Sequence, residues 1–124
     1  RHGFGNWMLF LKTDETQFVG RAGLRHAEVD GQEEIELAYA IVADQWNQGF
    51  ATEMSLEVLS IGFRTLNLRD VVCFTLPSNL ASQRVMAKVG FVSEKSIIHA
   101  NLPHVLCRMT KQRFVELYPS AMQV

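Results

Sequence analysis

The hydrophobic period of the chain changes twice between Ile35 and Leu76, and that switch restricts the fold more than any other feature. Ile35, Leu37, Tyr39 and Ile41 alternate with Glu36, Ala38, Ala40 and Val42, the two-residue period of a strand. From Gly49 onward Met54, Val58, Leu59, Phe63 and Leu66 fall on one side of a helix, which is expected to end near Asn67. Asp70 to Leu76 returns to a short β-branched and aromatic run closed by Pro77-Ser78-Asn79. A strand, a helix of this length and a strand make a βαβ crossover, so the two strands are expected to run parallel.

The flanks fill out an α/β fold. Trp7 to Leu11 and Gln17 to Gly20 enclose the polar Lys12 to Thr16, a strand, turn, strand pattern. The second strand runs to about His26, with Gly20 and Gly23 as places for a bulge or a close backbone approach. Asp30-Gly31 is the next turn, so three antiparallel strands precede the crossover. After it, a second helix covers Leu80 to Val89, with Gly90 where a left-handed C-terminal cap is required. Phe91 to Ala100 and His104 to Thr110 read as strands joined around Leu102-Pro103, and Lys111 to Tyr118 as a short amphipathic tail.

With 124 residues, 48% of them hydrophobic, the chain can bury one core, so one domain over residues 1–124 is expected. A net charge of -1 without any Lys/Arg run argues against a nucleic-acid partner, which needs a basic face. Cys73 and Cys107 lie in apolar runs and are expected to be buried, reduced thiols. No apolar run approaches the length of a membrane span and no leader pattern is visible, so a cytoplasmic location without membrane association is the default. The chain begins at Arg1, which reads as a fragment or a processed product.

Two segments carry chemistry. In an open sheet, ligands bind in the crevice beyond the carboxyl end of a strand that leads into a helix, and Val42 to Ala51 is such a place. The first turn of a helix offers unpaired N–H groups and a positive dipole end, able to hold a pyrophosphate without any lysine. Gly49 and Ala51 would admit phosphate oxygens close to the main chain, although Gly49 alone also fits a plain tight turn. Gly49 is followed by Phe50-Ala51 rather than Lys-Ser/Thr, and the three-glycine dinucleotide pattern is missing, so nucleotide hydrolysis and hydride transfer fit poorly.

Trp46-Asn47-Gln48-Gly49-Phe50-Ala51-Thr52-Glu53 and, about 30 residues on, Asn79-x-x-Ser82 with Gly90-Phe91 together resemble the cofactor-binding signature of the GNAT superfamily of acetyl-CoA-dependent N-acetyltransferases. The superfamily pattern Arg/Gln-x-x-Gly-x-Gly/Ala is met as Trp46-x-x-Gly49-x-Ala51, and the aromatic first position is similar to the RimJ/RimL ribosomal-protein acetyltransferase branch. The resemblance implies a GNAT-like fold, with a central mixed sheet flanked by helices and splayed near Val42 to admit acetyl-CoA. It implies that Gln48, Gly49, Phe50, Ala51 and Thr52 hold the pyrophosphate through backbone amides, and that Ile41 and Val42 pair with the pantetheine arm. Asn79 would contact the pantetheine side, with an N-cap as its ordinary alternative, and Ser82 would protonate the leaving thiolate. Members of the superfamily usually begin with a strand and one or two helices that form half of the acceptor groove, and this chain reads as starting after them.

Transfer to an amine also requires loss of the ammonium proton. Glu36, sharing a strand face with Ala38 and Ala40, is the first base expected; a solvated carboxylate beside Glu33-Glu34 is the alternative. His99 and His104 are second candidates as proton carriers, and without a third ligand they suggest no metal. Neither cysteine is adjacent to a motif loop, so direct transfer is expected over a covalent acyl-enzyme. The acceptor would be a protein N-terminus or a small amine. A non-catalytic acyl-CoA-binding or interaction module is the rival reading, and a homodimer is an architectural guess.

Overall fold

The computed structural model describes residues 5–11, 14–41 and 49–122. Six strands, β1 (Gly5–Leu11), β2 (Asp14–Val29), β3 (Gln32–Ile41), β4 (Asp70–Thr75), β5 (Val92–His99) and β6 (Leu102–Thr110), form one sheet in the order β1-β2-β3-β4-β6-β5. Only the β3–β4 pairing is parallel, as the βαβ crossover demands. The helices are α1 (Phe50–Ser60), α2 (Leu80–Val89) and α3 (Lys111–Leu117).

Local chemistry sets most element ends. Asp30 and Gly31 both take positive φ, 52° and 77°, as a two-residue hairpin turn between β2 and β3 requires. The turn therefore occupies only those two residues, and β2 continues to Val29 rather than stopping at His26. Gly23 sits in regular pairing with Asn6 and Ala38, while an irregularity in β1–β2 falls beside Gly20. Gly90 closes α2 at φ 120°, where a Cβ would stand 2.5 Å from Leu117 Cδ1. The last hairpin turns at Ala100-Asn101, φ 53° and 65°, and not around Leu102-Pro103. Pro103 is instead paired with Ile98 inside β6, beyond the reach of β4, which pairs only as far as Val105; its lacking N–H thus interrupts no β4 ladder.

The helix that follows Gly49 is not uniform. α1 passes at Ile61–Thr65 into a wider π turn, with Leu66 N–H donating to Ile61 O at 3.0 Å, before Asn67 reverses the chain at φ 57°. Phe63, in that turn, is fully buried and tilts against Phe114 of α3, ring centroids 5.1 Å apart.

All three helices pack on one face of the sheet, where Leu24, Leu37, Met54, Leu59, Val71, Met86 and Phe114 join in the main core. On the other face a smaller core of Val29, Val72, Ile97 and Leu106 is covered by the curled end of the β2–β3 hairpin. Two ionic links hold that curl. Asp30 pairs with Lys95 of β5 at 2.8 Å, and Glu34 takes two hydrogen bonds from Arg108 at 3.0 and 2.9 Å. Arg108 also donates to Asp70 at 3.0 Å and to Glu94 at 2.7 Å, so one guanidinium ties β3, β4, β5 and β6 together.

Candidate active site

β3 and β4 are registered at a single pair, Glu36 with Val72, and part beyond it. The sheet therefore opens from Leu37 onward, several residues earlier than expected. The gap is a cleft of about 1020 Å³ bounded by Leu37 to Ala40, by Cys73 to Thr75, by Gly49 to Thr52 of the α1 start, and by Asn79, Ser82, Arg84 and Lys88 of α2. Both motif segments reach this one cleft. Val42, Trp46 and Gln48 lie outside the described residues; the backbone of Ile41 is paired with Gly20.

The start of α1 carries no side-chain cap, unlike the starts of α2 and α3. Gly49 takes φ 79°, supplies no side-chain cap, and has no atom within 4 Å of the place a Cβ would occupy. The first helical bond runs from Glu53 N–H to Gly49 O at 3.0 Å, so the amides of Phe50, Ala51 and Thr52 precede the intrahelical ladder. The other two helices begin differently. Asn79 Oδ1 accepts from Ser82 N–H and Thr110 Oγ1 from Arg113 N–H, both at 3.1 Å. Asn79 is thus an N-cap that also lines the cleft.

Glu36 is 5% exposed, which removes the solvated-carboxylate alternative. Arg25, its neighbour across β2, donates to it from Nε at 2.9 Å and from Nη2 at 3.5 Å. Both carboxylate oxygens are engaged by a guanidinium that this hydrogen bond and charge hold still more firmly protonated. Ser82 Oγ lies 2.9 Å from Tyr39 Oη, across the open seam. Burial pushes the Tyr39 phenol above its ordinary range, an effect its hydrogen bond with Ser82 partly opposes.

Cys73 and Cys107 are buried, free thiols on facing positions of β4 and β6. The reason expected for their inertness needs correction, because Cys73 does line the cleft. Burial, then the nearby Glu36 charge, raises its thiol far above the ordinary range, so it is no thiolate nucleophile. His99 and His104 meet edge to face, ring centroids 5.4 Å apart, and both pack against the cleft residue Phe74, at 4.6 and 5.8 Å. Among the described residues no cluster of three His, Cys, Asp or Glu has metal-binding spacing. Sequence reasoning overlooked Tyr39, and also Arg84 and Lys88, whose four-residue spacing after Asn79-x-x-Ser82 puts two cations on the cleft side of α2.

The acetyltransferase (GNAT) domain family matches residues 1–92. The chain belongs to that family. GNAT acetyltransferases use acetyl-CoA. The uncharacterized N-acetyltransferase YoaA of Bacillus subtilis (strain 168) is 32% identical over 83 residues, 67% of this chain and 46% of that protein. The chain thus spans about half the length of that curated relative. A GNAT-family acetyltransferase from Bordetella pertussis has the same fold, with TM-score 0.77 and 21% identity over 88% of this chain and 67% of that one. So has the aminoglycoside acetyltransferase AAC(6')-Ib in complex with coenzyme A, with TM-score 0.75 and 18% identity over 91% of this chain and 69% of its own.

Proposed function

We propose that this chain transfers acetyl from acetyl-CoA directly to a primary amine, as one N-acetyltransferase unit of the RimJ/RimL-like kind acting in the cytoplasm. The observation that supports it is the meeting of both motif segments in one cleft, at the only parallel seam of the described sheet. Acetyl-CoA would bring an activated acyl group, and the rest is the work of this chain. The amides of Gln48 to Thr52 would receive the pyrophosphate, with Arg84 and Lys88 adding positive charge nearby. Ile41 and Val42 would extend β3 along the pantetheine, with Asn79 opposite. Glu36 would receive the ammonium proton, held in place by Arg25, and Ser82 would deliver one to the departing sulfur.

The acceptor is a primary amine of one of two classes, a protein N-terminus, as in the RimJ/RimL-like branch, or a small amine. Incubating the protein with acetyl-CoA and either an Ala-initiated peptide or a polyamine separates them, with acetylation read by mass. Acetylated peptide, with turnover lost in Glu36→Gln while acetyl-CoA affinity holds, supports the reading. The non-catalytic binding module remains the second reading because Arg25 already occupies both Glu36 oxygens. Tight acetyl-CoA binding without transfer to any amine would favour it. A homodimer is part of the proposal only through architecture: β5 is an edge of the described sheet and exposes Ile98.

A further inference from the structure

Ser82 alone is a poor acid for a leaving thiolate. An aliphatic hydroxyl is far less acidic than a thiol, so a proton given up by serine without replacement leaves an alkoxide and an uphill step. A phenol is close to a thiol in acidity, with an ordinary value about 10 against about 8.5 for cysteine. The structure puts a phenol within reach: Tyr39 Oη and Ser82 Oγ are 2.9 Å apart and both line the cleft. They come from different elements, β3 and α2, on either side of the open seam, 43 residues apart in the chain. The other polar contact of the Ser82 backbone, to Asn79, fixes the first turn of α2 and so the place of the hydroxyl.

We infer that Tyr39 is the proton source behind Ser82: its O–H donates to Ser82 Oγ, leaving the serine's own hydrogen directed into the cleft. The inference rests on the acetyl-transfer reading above. As the amine nitrogen bonds to the acetyl carbon, the C–S bond breaks and its electron pair goes to sulfur. Sulfur takes the Ser82 hydrogen, Ser82 Oγ takes the Tyr39 hydrogen, and the phenolate is reprotonated by solvent, while the amine's proton leaves to the base. Ser82 and Tyr39 each regain the proton they lose, the nitrogen exchanges its proton for the new N–C bond, and the base returns that proton to solvent, so no other reactant is needed. Tyr39 acts through Ser82 and does not touch the thioester, so it is a positioning residue that also stores a proton. Burial raises its phenol and widens the gap to the thiol, and the hydrogen bond with Ser82 narrows it again.

Two measurements test this. In a Tyr118→Phe background Tyr39 is the only tyrosine, and its ionisation can be followed by phenolate absorbance. Ser82→Ala removes the hydroxyl that can turn and donate to the phenolate once the Tyr39 proton has left, so the titration midpoint should move up; an unchanged midpoint overturns the coupling, whether or not the protein turns over. In turnover, Tyr39→Phe should lower kcat on the order of 10²-fold, with KM for acetyl-CoA little changed. The loss should shrink with an acetyl thioester of a more acidic thiol, whose leaving group needs less protonation. An equal loss with both donors, or none, overturns the relay. Acetyl-CoA binding to the wild type is measured alongside; its absence would fail the acetyl-transfer reading, which the phenol titration leaves separate.

Discussion

The two ends of the β3–β4 seam are built in opposite ways. At the end near Glu34 and Asp70, Arg108 binds three carboxylates and closes four strands into one sheet. At the other, past Glu36 and Val72, the strands separate, small Ala38 and Ala40 line the gap, and among the described residues the Tyr39–Ser82 hydrogen bond spans it. The pinned end gives the open end something rigid to open against. Stability should therefore respond to changes at the first and ligand affinity to changes at the second.

The largest effect is expected from Arg108→Met, which leaves Glu34, Asp70 and Glu94 facing one another without the guanidinium that joins them, while Arg69, 3.8 Å from Asp70, is almost fully exposed and compensates little. Their side chains are 15%, 23% and 36% exposed, between the buried and exposed cases, so denaturant unfolding should report a loss of about 2–3 kcal/mol. If stability were untouched, the pin would be ornamental. Acid should act on the same end. Arg108's hydrogen bond holds the Glu94 carboxyl below the ordinary carboxylate range. A depressed carboxylate contributes stability that is full above its unfolded pKa and is lost as pH falls through the folded one. Part of the stability should thus disappear below about pH 4.5, and Arg108→Met should flatten that acid limb. A smaller effect is expected at the open end, where Asn79→Ala removes the cap of α2 and should cost about 1 kcal/mol in thermal or denaturant unfolding. A cost near that of Arg108→Met would blur the division between the two ends.

What the sequence disclosed divides along similar lines. Helix α2 was legible to the residue because Asn79 and Gly90 punctuate it locally, and the parallel seam followed from the change of period. The turn at Ala100-Asn101 was hidden because Pro103, the stronger turn signal nearby, is harmless in a stretch of β6 that β4 does not reach. The π turn at Ile61–Thr65 preserves the apolar pattern of a plain helix and so leaves no mark on it. In the site, Gly49, Phe50, Ala51, Thr52, Asn79, Ser82 and Glu36 were legible as cleft residues from their motifs and strand face. Their partners were not: Arg108 reaches Glu34 across 74 residues, and Tyr39 reaches Ser82 across 43. Such pairs are fixed by register and crossover geometry, which no short pattern encodes.

The most direct measurement is calorimetric titration of the wild type and of Gly49→Asp with acetyl-CoA, with ATP and NAD as controls. The account predicts micromolar binding of acetyl-CoA by the wild type, weak binding of the controls, and roughly 100-fold weaker acetyl-CoA binding in the variant, because a side chain at φ 79° strains the turn and its charge opposes the helix N-terminus. Equal affinity in the two proteins, or nucleotides binding as well as acetyl-CoA, would contradict the claim that the open end of the seam is the acetyl-CoA site.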